Sequence, residues 1–208
     1  MRKHFTLMLL FSTAAIWSAQ SQVFRKGDRL FGGSFSFAFY NSNNGNPNNY
    51  NSGNAGLAPS FGWAVKDNLV MGLKGGVGYG RSESNVSSTE RRIVSTLSVS
   101  PGIFLRKYRE LKNRFGLYFN HDVTANYAYS RDKSSLTNTV YQSDARGIAY
   151  NFNPGVFYKF SENFIGEANI GGVYATYTST GQTKVYGTGV SFLQYFNVGF
   201  NYRIPRKS

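Results

Sequence analysis

The sequence predicts an all-β protein, an eight-stranded antiparallel up-and-down transmembrane β-barrel. Three observations lead to this fold class: apolar residues recur at every second position over long stretches, only 16% of the 208 residues are charged, and 17% are aromatic. A period of two gives a strand one apolar and one polar face, as in a barrel wall. The sequence contains no run of about 18 apolar residues, which excludes a transmembrane helix.

Eight segments alternate in this way along the chain. The first has phenylalanine at positions 31, 35, 37 and 39, with glycine, serine and alanine among the residues between them. The other seven predicted strands are Leu57–Val65, Leu69–Tyr79, Ile93–Ile103, Phe115–Tyr129, Ile148–Phe160, Phe164–Tyr174 and Val190–Ile204.

The predicted connections between these strands are polar and differ in length. Long loops are expected at Asn41–Asn54, Ser82–Glu90 and Arg131–Asp144, and shorter turns at Lys66–Asn68, Lys107–Asn113 and Ser161–Asn163. Long loops at one end of the strands and short turns at the other are typical of membrane barrels.

The first 21 residues are predicted to be a signal peptide, and residues 22–208 the barrel domain. A basic start and an apolar run are followed by the small residues Ala19 and Ser21, which places a cleavage site before Gln22. This succession of charged, apolar and small residues is that of a secretory signal peptide. We therefore expect an exported protein.

Residue types that ligate metals or form disulfides are scarce. The sequence has no cysteine and two histidines, His4 and His121, so disulfides, cysteine-ligated metals and multi-histidine metal sites are excluded. We predict no metal site and no cofactor. His121 adjoins Asp122, but neighbouring strand residues point to opposite faces, so we predict no catalytic residue. A histidine on the lipid-facing side is unfavourable and suggests a β-bulge there.

Alternation alone leaves two architectures open. In a soluble β-barrel the apolar face forms the core, whereas in a membrane barrel lipid contacts the apolar face and the interior is polar. The long predicted strands, the alternating connection lengths and the small residues on the polar face favour the membrane barrel. The interior of an eight-stranded barrel is narrow and has room mainly for small side chains.

Three stretches of the chain carry a likeness to a known family: Leu30–Phe37, Leu57–Leu73 and Phe196–Tyr202. With them, the chain resembles the outer-membrane β-barrel domain family of Gram-negative bacteria, the small eight-stranded barrels akin to the transmembrane domain of outer-membrane protein A. The resemblance covers essentially the whole chain after the predicted signal peptide. It implies a location in the cell outer membrane and contact with the barrel-assembly machinery.

Charged residues on the predicted inward face are the candidate site. There are six of them: Lys74, Arg92, Asp122, Lys159, Glu167 and Arg203. A charge in a narrow interior is unfavourable unless it is paired, so we expect Asp122 and Glu167 to contact lysine or arginine. A proton path or ion gate is one interpretation. A salt-bridged network that fills the barrel is favoured, because eight-stranded barrels fill their interior with side chains.

The formal net charge of +13 fits attraction to outer-membrane lipid and to the phosphates of lipopolysaccharide. An exported chain is not expected to meet nucleic acid. We expect a monomer with a non-enzymatic role, either structural or in surface interaction through its external loops. A small-solute or ion channel, a lipid-modifying outer-membrane enzyme and a soluble periplasmic β-barrel are the alternatives.

Overall fold

A computed structural model describes residues 22–42, 49–85, 90–112, 114–137, 139–181 and 183–206. The predicted signal peptide lies outside these residues. The strands are β1 (Arg29–Ser42), β2 (Tyr50–Lys66), β3 (Leu69–Lys74), β4 (Val77–Asn85), β5 (Arg91–Val99), β6 (Gly102–Lys112), β7 (Phe115–Ser134), β8 (Val140–Lys159), β9 (Phe164–Thr180) and β10 (Thr183–Ile204). Among the described residues, no helix has the length and apolar character needed to cross a bilayer.

The strands pair in a ring, and every pair is antiparallel. β2 pairs with β1 on one side and with β3 and β4 on the other; β3 pairs with β6, β4 with β5, and both β5 and β6 with β7. The order then continues through β8, β9 and β10 back to β1. Because β3 and β4 share one position and β5 and β6 another, the ring has eight positions. This confirms the predicted eight-stranded up-and-down barrel.

The side chains on the outside of the barrel are apolar and many of those inside are polar, which is the reverse of a soluble protein. Large apolar residues face outward and are exposed, such as Phe31 (60%), Leu57 (61%) and Ile148 (57%). Inward positions include the buried acids Asp122 (2%) and Glu167 (6%). An apolar exterior around a polar interior is the arrangement of a barrel in lipid, so the chain is a transmembrane β-barrel.

The first and last described residues, 22 and 206, and the short turns lie at one end of the barrel, called the periplasmic end here, and the other end is the extracellular end. The strands extend further at the extracellular end than the sequence predicted. Asn51 and Asn54, expected in a loop, belong to β2 and pair with β1. The predicted loop Arg131–Asp144 is largely strand, since β7 ends at Ser134 and β8 begins at Val140. Backbone pairing with a neighbour continues these strands beyond their apolar alternation.

The predicted turn Lys107–Asn113 was also too long. β6 continues to Lys112 and pairs with β7 over most of this stretch. The pairing shifts register between Glu110 and Lys112, so only the last residues form the turn. The inward and outward alternation therefore persists through Arg106, Tyr108 and Glu110.

The first and last strands meet only in the periplasmic half. β1 pairs with β10 from Arg29↔Ile204 to Phe35↔Val198. β10 shifts register against β9 between Phe192 and Asn197. Beyond Phe35, the described residues of β1 and β10 form no pairs with each other.

Candidate functional site in the barrel interior

A buried ion pair crosses the middle of the barrel. Arg106 on β6 contacts Glu167 on β9, with 2.5 Å between Nη1 and Oε2. The Tyr108 hydroxyl donates a hydrogen bond of 2.5 Å to Oε1 of the same carboxylate. Arg106 and Tyr108 lie two residues apart on β6, so both point inward. Glu167 therefore has one partner for each carboxylate oxygen.

A second buried acid joins this pair through amide side chains. Asp122 accepts hydrogen bonds from Asn120 (2.8 Å) and Asn151 (2.9 Å), and Lys74 Nζ lies 3.3 Å from its Oδ1. Arg106 Nε donates to Asn120 Oδ1 at 3.0 Å, which links the two acids. The network thus runs continuously from β3 to β9 across the interior.

Little space is left around these charges. Two small cavities, of about 50 and 80 Å³, lie beside the network and share Lys74, Arg106 and Glu167 as lining residues. Cavities of this size accommodate a few water molecules, which are held by the polar groups around them. The arrangement can hold charge and water in the middle of the barrel.

The periplasmic end of the interior is filled by the segment before β1. Val23 and Phe24 are at most 1% exposed, and the Phe24 ring lies 4.8 Å from the Tyr108 ring. Asn68 holds the segment, because its Oδ1 accepts hydrogen bonds from the backbone N–H groups of Val23 (2.7 Å) and Phe24 (3.1 Å). Asn68 has a φ of 59°, a left-handed conformation that asparagine tolerates in tight turns.

The remaining predicted charges lie nearer the two ends of the barrel. Lys159 contacts Glu110 at 2.5 Å, and Arg203 contacts Asp28 at 2.7 Å, both at the periplasmic end. Arg92 forms a bidentate ion pair with the carboxylate of Asp132 at the extracellular end.

The structure pairs two of the six predicted residues directly with each other, Lys74 and Asp122, and links Glu167 to them through Arg106 and Asn120. The partners of the other four were not predicted: Asp132, Glu110, Arg106 and Asp28. The predicted strand ends at Ile103 and leaves Arg106 outside it, whereas β6 continues past Arg106 to Lys112. The signal was available, since Phe104, Arg106 and Tyr108 alternate in step with the strand.

Charged groups at the extracellular end lie outside the lipid. Asp132 is 17 residues beyond Phe115 on β7, roughly 40 Å along the barrel axis at a tilt of about 40°. The hydrogen bonds from Arg92 lower the pKa of Asp132. Hydrogen bonds from Arg91 and then Arg81 likewise lower the pKa of Glu83. These ion pairs connect β4, β5 and β7 above the membrane.

His121 faces outward on β7, as the alternation predicts. Its Nδ1 lies 2.9 Å from the Tyr150 hydroxyl, and its ring packs 4.7 Å from that of Phe152. The suggested β-bulge is wrong, because the register of β7 with β8 continues unbroken past His121. Within the described part of the chain, no group of three or more His, Cys, Asp or Glu residues could hold a metal ion.

Comparison with solved structures finds small membrane barrels. The N-terminal β-barrel domain of Pseudomonas aeruginosa OprF matches 86% of this chain and 98% of its own, with 10% identity and a TM-score of 0.42. Ail, the attachment invasion locus protein of Yersinia pestis, matches 86% of this chain and 99% of its own, with 14% identity and a TM-score of 0.44. The Pseudomonas aeruginosa outer-membrane protein OprG matches 88% of this chain and 98% of its own, with 14% identity and a TM-score of 0.46. No protein-family model and no curated protein matches the sequence.

The strand ring, the apolar exterior and the packed, charged interior together define a class of protein. It is the eight-stranded transmembrane β-barrel. The chain is a transmembrane β-barrel of this class, and the solved structures to which it is similar are the small outer-membrane barrels named above.

Proposed function

We propose that the protein is a non-enzymatic, non-conducting outer-membrane barrel that acts at the cell surface through its extracellular hairpins. The observation that carries the proposal is the filled periplasmic half of the interior. Phe24, Tyr108 and Phe157 are each at most 1% exposed, and the Arg106–Glu167 pair lies next to them. An ion path through this region would require these side chains to move apart.

Conductance in planar bilayers tests the closed interior. The refolded chain is expected to give no steady channels under conditions in which a general porin conducts. Steady single-channel conductance of the wild-type protein would support the channel alternative and overturn the proposal.

The surroundings of His121 argue against the enzyme alternative. Its ring nitrogen is paired with the phenol of Tyr150 on the outward face, and Asp122 points to the interior. Nucleophilic catalysis by histidine needs a nucleophile within hydrogen-bond reach and an orienting acid. The proposal predicts no turnover of lipid A or phospholipid by the refolded protein. Turnover that is lost in His121→Ala would establish the enzyme instead.

A surface role is supported by the hairpins that project beyond the lipid. The β7–β8 hairpin remains paired up to Lys133↔Val140, and ion pairs join neighbouring strands at this level. Such cross-strand pairs give the projecting part a defined shape.

A shortened hairpin tests where the function lies. In a strain that lacks the gene, the full chain is compared with a variant in which residues 131–142 are replaced by a two-residue turn. Both must show the heat-dependent gel shift of a folded barrel. The shortened variant is expected to leave the surface phenotype of the deletion uncorrected. Full correction by this variant would place the role in the embedded barrel and contradict the proposal.

A further inference from the structure

A line of interrupted pairing crosses one wall of the barrel. Between the pairs Ser60↔Lys74 and Leu57↔Val77, β2 meets the gap that separates β3 from β4. One backbone hydrogen bond bridges this gap, from the Gly75 N–H to the Pro59 carbonyl at 2.9 Å. Proline has no N–H, so the reciprocal bond cannot form.

The same interruption recurs on the next strands in the same hydrogen-bonded row. β5 and β6 are separated at Ser100 and Pro101, and the Ala125 N–H of β7 donates to the Pro101 carbonyl at 2.9 Å. β7 pairs with β5 and with β6 in the same register. β6 therefore continues the line of β5, and only the backbone pairing between them and β7 is interrupted at the gap. Each interrupted position also carries a small or cyclic side chain.

These small residues leave a groove in the outward surface. Its volume is about 660 Å³, within the roughly 300–1,000 Å³ range of small-molecule sites. Pro59, Gly75, Pro101 and Ala125 line it together with the exposed Val77 and Val99. Because this surface faces the lipid, hydrocarbon chains are what the groove meets.

A cation lies at the extracellular end of the groove. Arg146 on β8 lines it, with the guanidinium 5.8 Å from the centre of the Tyr127 ring. Twelve residues separate Arg146 from Tyr158 near the periplasmic end of β8, which is roughly 30 Å along the barrel axis. The apolar band of such barrels is about 25 Å tall, so Arg146 lies at the level of the outer headgroups.

Arg146 has donors available for an anion. Its Nε lies 3.5 Å from Asp144 in an open ion pair, with side-chain exposures of 76% and 54%. A guanidinium has five N–H donors, and two of them together match the geometry of a phosphate. Because the strands of a barrel are tilted, the hydrogen-bonded row that contains the two gaps runs from β2 toward β8 and toward the extracellular end. The row ends beside Arg146.

We propose that this groove, with Arg146 at its extracellular end, binds one lipopolysaccharide molecule of the outer leaflet. An acyl chain lies along Pro59, Gly75 and Pro101, and a lipid A phosphate contacts the Arg146 guanidinium. The site is separate from the hairpin tips, so it adds a specific lipid contact to the proposed surface role.

Native mass spectrometry of the refolded full chain tests the site. The probes are bisphosphorylated lipid A, the same lipid with its phosphates removed, and phosphatidylglycerol. The wild type is expected to retain one bisphosphorylated lipid A, and to bind the dephosphorylated form about tenfold more weakly, because the charge-assisted contact is lost.

Two variants address the two ends of the site. Arg146→Gln should weaken binding of bisphosphorylated lipid A about tenfold and leave the dephosphorylated lipid unaffected. Gly75→Leu should weaken both, since a Cβ at Gly75 has its nearest contact 3.9 Å away and a larger side chain would extend into the groove. Arg81→Gln and Ala175→Leu are matched controls outside the groove and should bind as the wild type does.

The result that overturns the proposal is equal retention of bisphosphorylated lipid A by the wild type and Arg146→Gln. Equally tight binding of phosphatidylglycerol would also overturn it, because the site would then accept any anionic lipid. Arg146 is exposed, so its variant tests the site even where Gly75→Leu fails to show the folded gel band. The conductance and hairpin experiments are independent of this outcome.

Discussion

The two halves of the barrel interior are built from the same alternating strands but from different side chains. In the periplasmic half, inward positions carry large residues that are almost fully buried, namely Phe104, Tyr108, Tyr118 and Phe157. In the extracellular half, inward positions of the same wall carry small residues that are partly exposed, namely Gly78, Gly80, Thr96, Ser98 and Ala128. One half is a packed core, and the other is an open, polar lining.

The difference shows that strand pairing and interior packing are separate contributions to this fold. Backbone hydrogen bonds hold both halves, but among the residues that the structure describes, large side chains and charges are almost fully buried only in the periplasmic half and at the middle of the barrel. We therefore expect the free energy of unfolding to depend on the periplasmic interior far more than on the extracellular one. Variants in the two halves test that asymmetry.

Removing one member of the central ion pair should have the largest effect. Glu167→Gln leaves Arg106 buried without its counter-charge, which destabilises proteins by about 3–5 kcal/mol. Urea unfolding in detergent, followed by the heat-dependent gel shift, measures the change. The double variant Arg106→Met with Glu167→Gln removes both charges and should be more stable than Glu167→Gln alone. If the single variant unfolds at the wild-type urea concentration, the pair does not stabilise the core.

Truncating the periplasmic plug should follow. Phe24→Ala removes a fully buried ring from contact with Tyr108 and should lower the free energy of unfolding by about 3 kcal/mol. Phe39→Ala is the matched control, because the Phe39 ring is 83% exposed and should contribute under about 1 kcal/mol. Equal effects of the two substitutions would contradict the asymmetry.

A single hydroxyl distinguishes hydrogen bonding from packing in the same core. Tyr108→Phe keeps the ring but removes the hydrogen bond to Glu167, which should lower the free energy of unfolding by about 1.5–2 kcal/mol. The comparison in the extracellular half is Thr96→Val, which removes the 2.9 Å hydrogen bond between Thr96 and Ser130. Both residues are only partly buried, so water replaces that bond and the change should stay within about 0.5 kcal/mol.

Acid should affect the extracellular rim, and only weakly. The pKa of Glu83 is lower in the folded protein than in the unfolded chain, so its stabilising contribution is present above the unfolded pKa. That contribution is lost as the pH falls through the folded pKa, which the hydrogen bonds from Arg91 and Arg81 hold below the ordinary value for glutamate. Glu83→Gln should therefore unfold at the wild-type urea concentration at low pH and at a slightly lower one at pH 7. A larger difference between the two proteins at low pH than at neutral pH would contradict this sign.

Most of the wall could be predicted from the sequence because lipid imposes a strict rule on it. Outward positions such as Ile148, Tyr150 and Phe152 must be apolar, so a period of two marks each strand directly. The strand ends beyond the lipid escape this rule. Asn51 and Asn54 look like loop residues, and only their backbone pairing with β1 makes them part of a strand.

The interior was predictable in part. Lys74 and Asp122 could be assigned from alternation alone, whereas Arg106 was missed because the basic stretch around it resembles a polar turn. The plug residues Val23 and Phe24 carry no periodic signal. Their burial depends on Asn68, some 45 positions away in the chain, and such a contact arises only in the folded ring.

Asp28 connects the two ends of the barrel chain. Its Oδ2 accepts a hydrogen bond of 2.7 Å from Arg203, 175 positions away, and its Oδ1 accepts one of 3.1 Å from the Arg206 backbone. Closing a loop of this length lowers the entropy of the chain, by an amount that grows only slowly with length. The first and last strands pair only from Arg29 to Phe35, so the two hydrogen bonds of this carboxylate add to a short closing contact and help to offset the loop-closure entropy of the barrel.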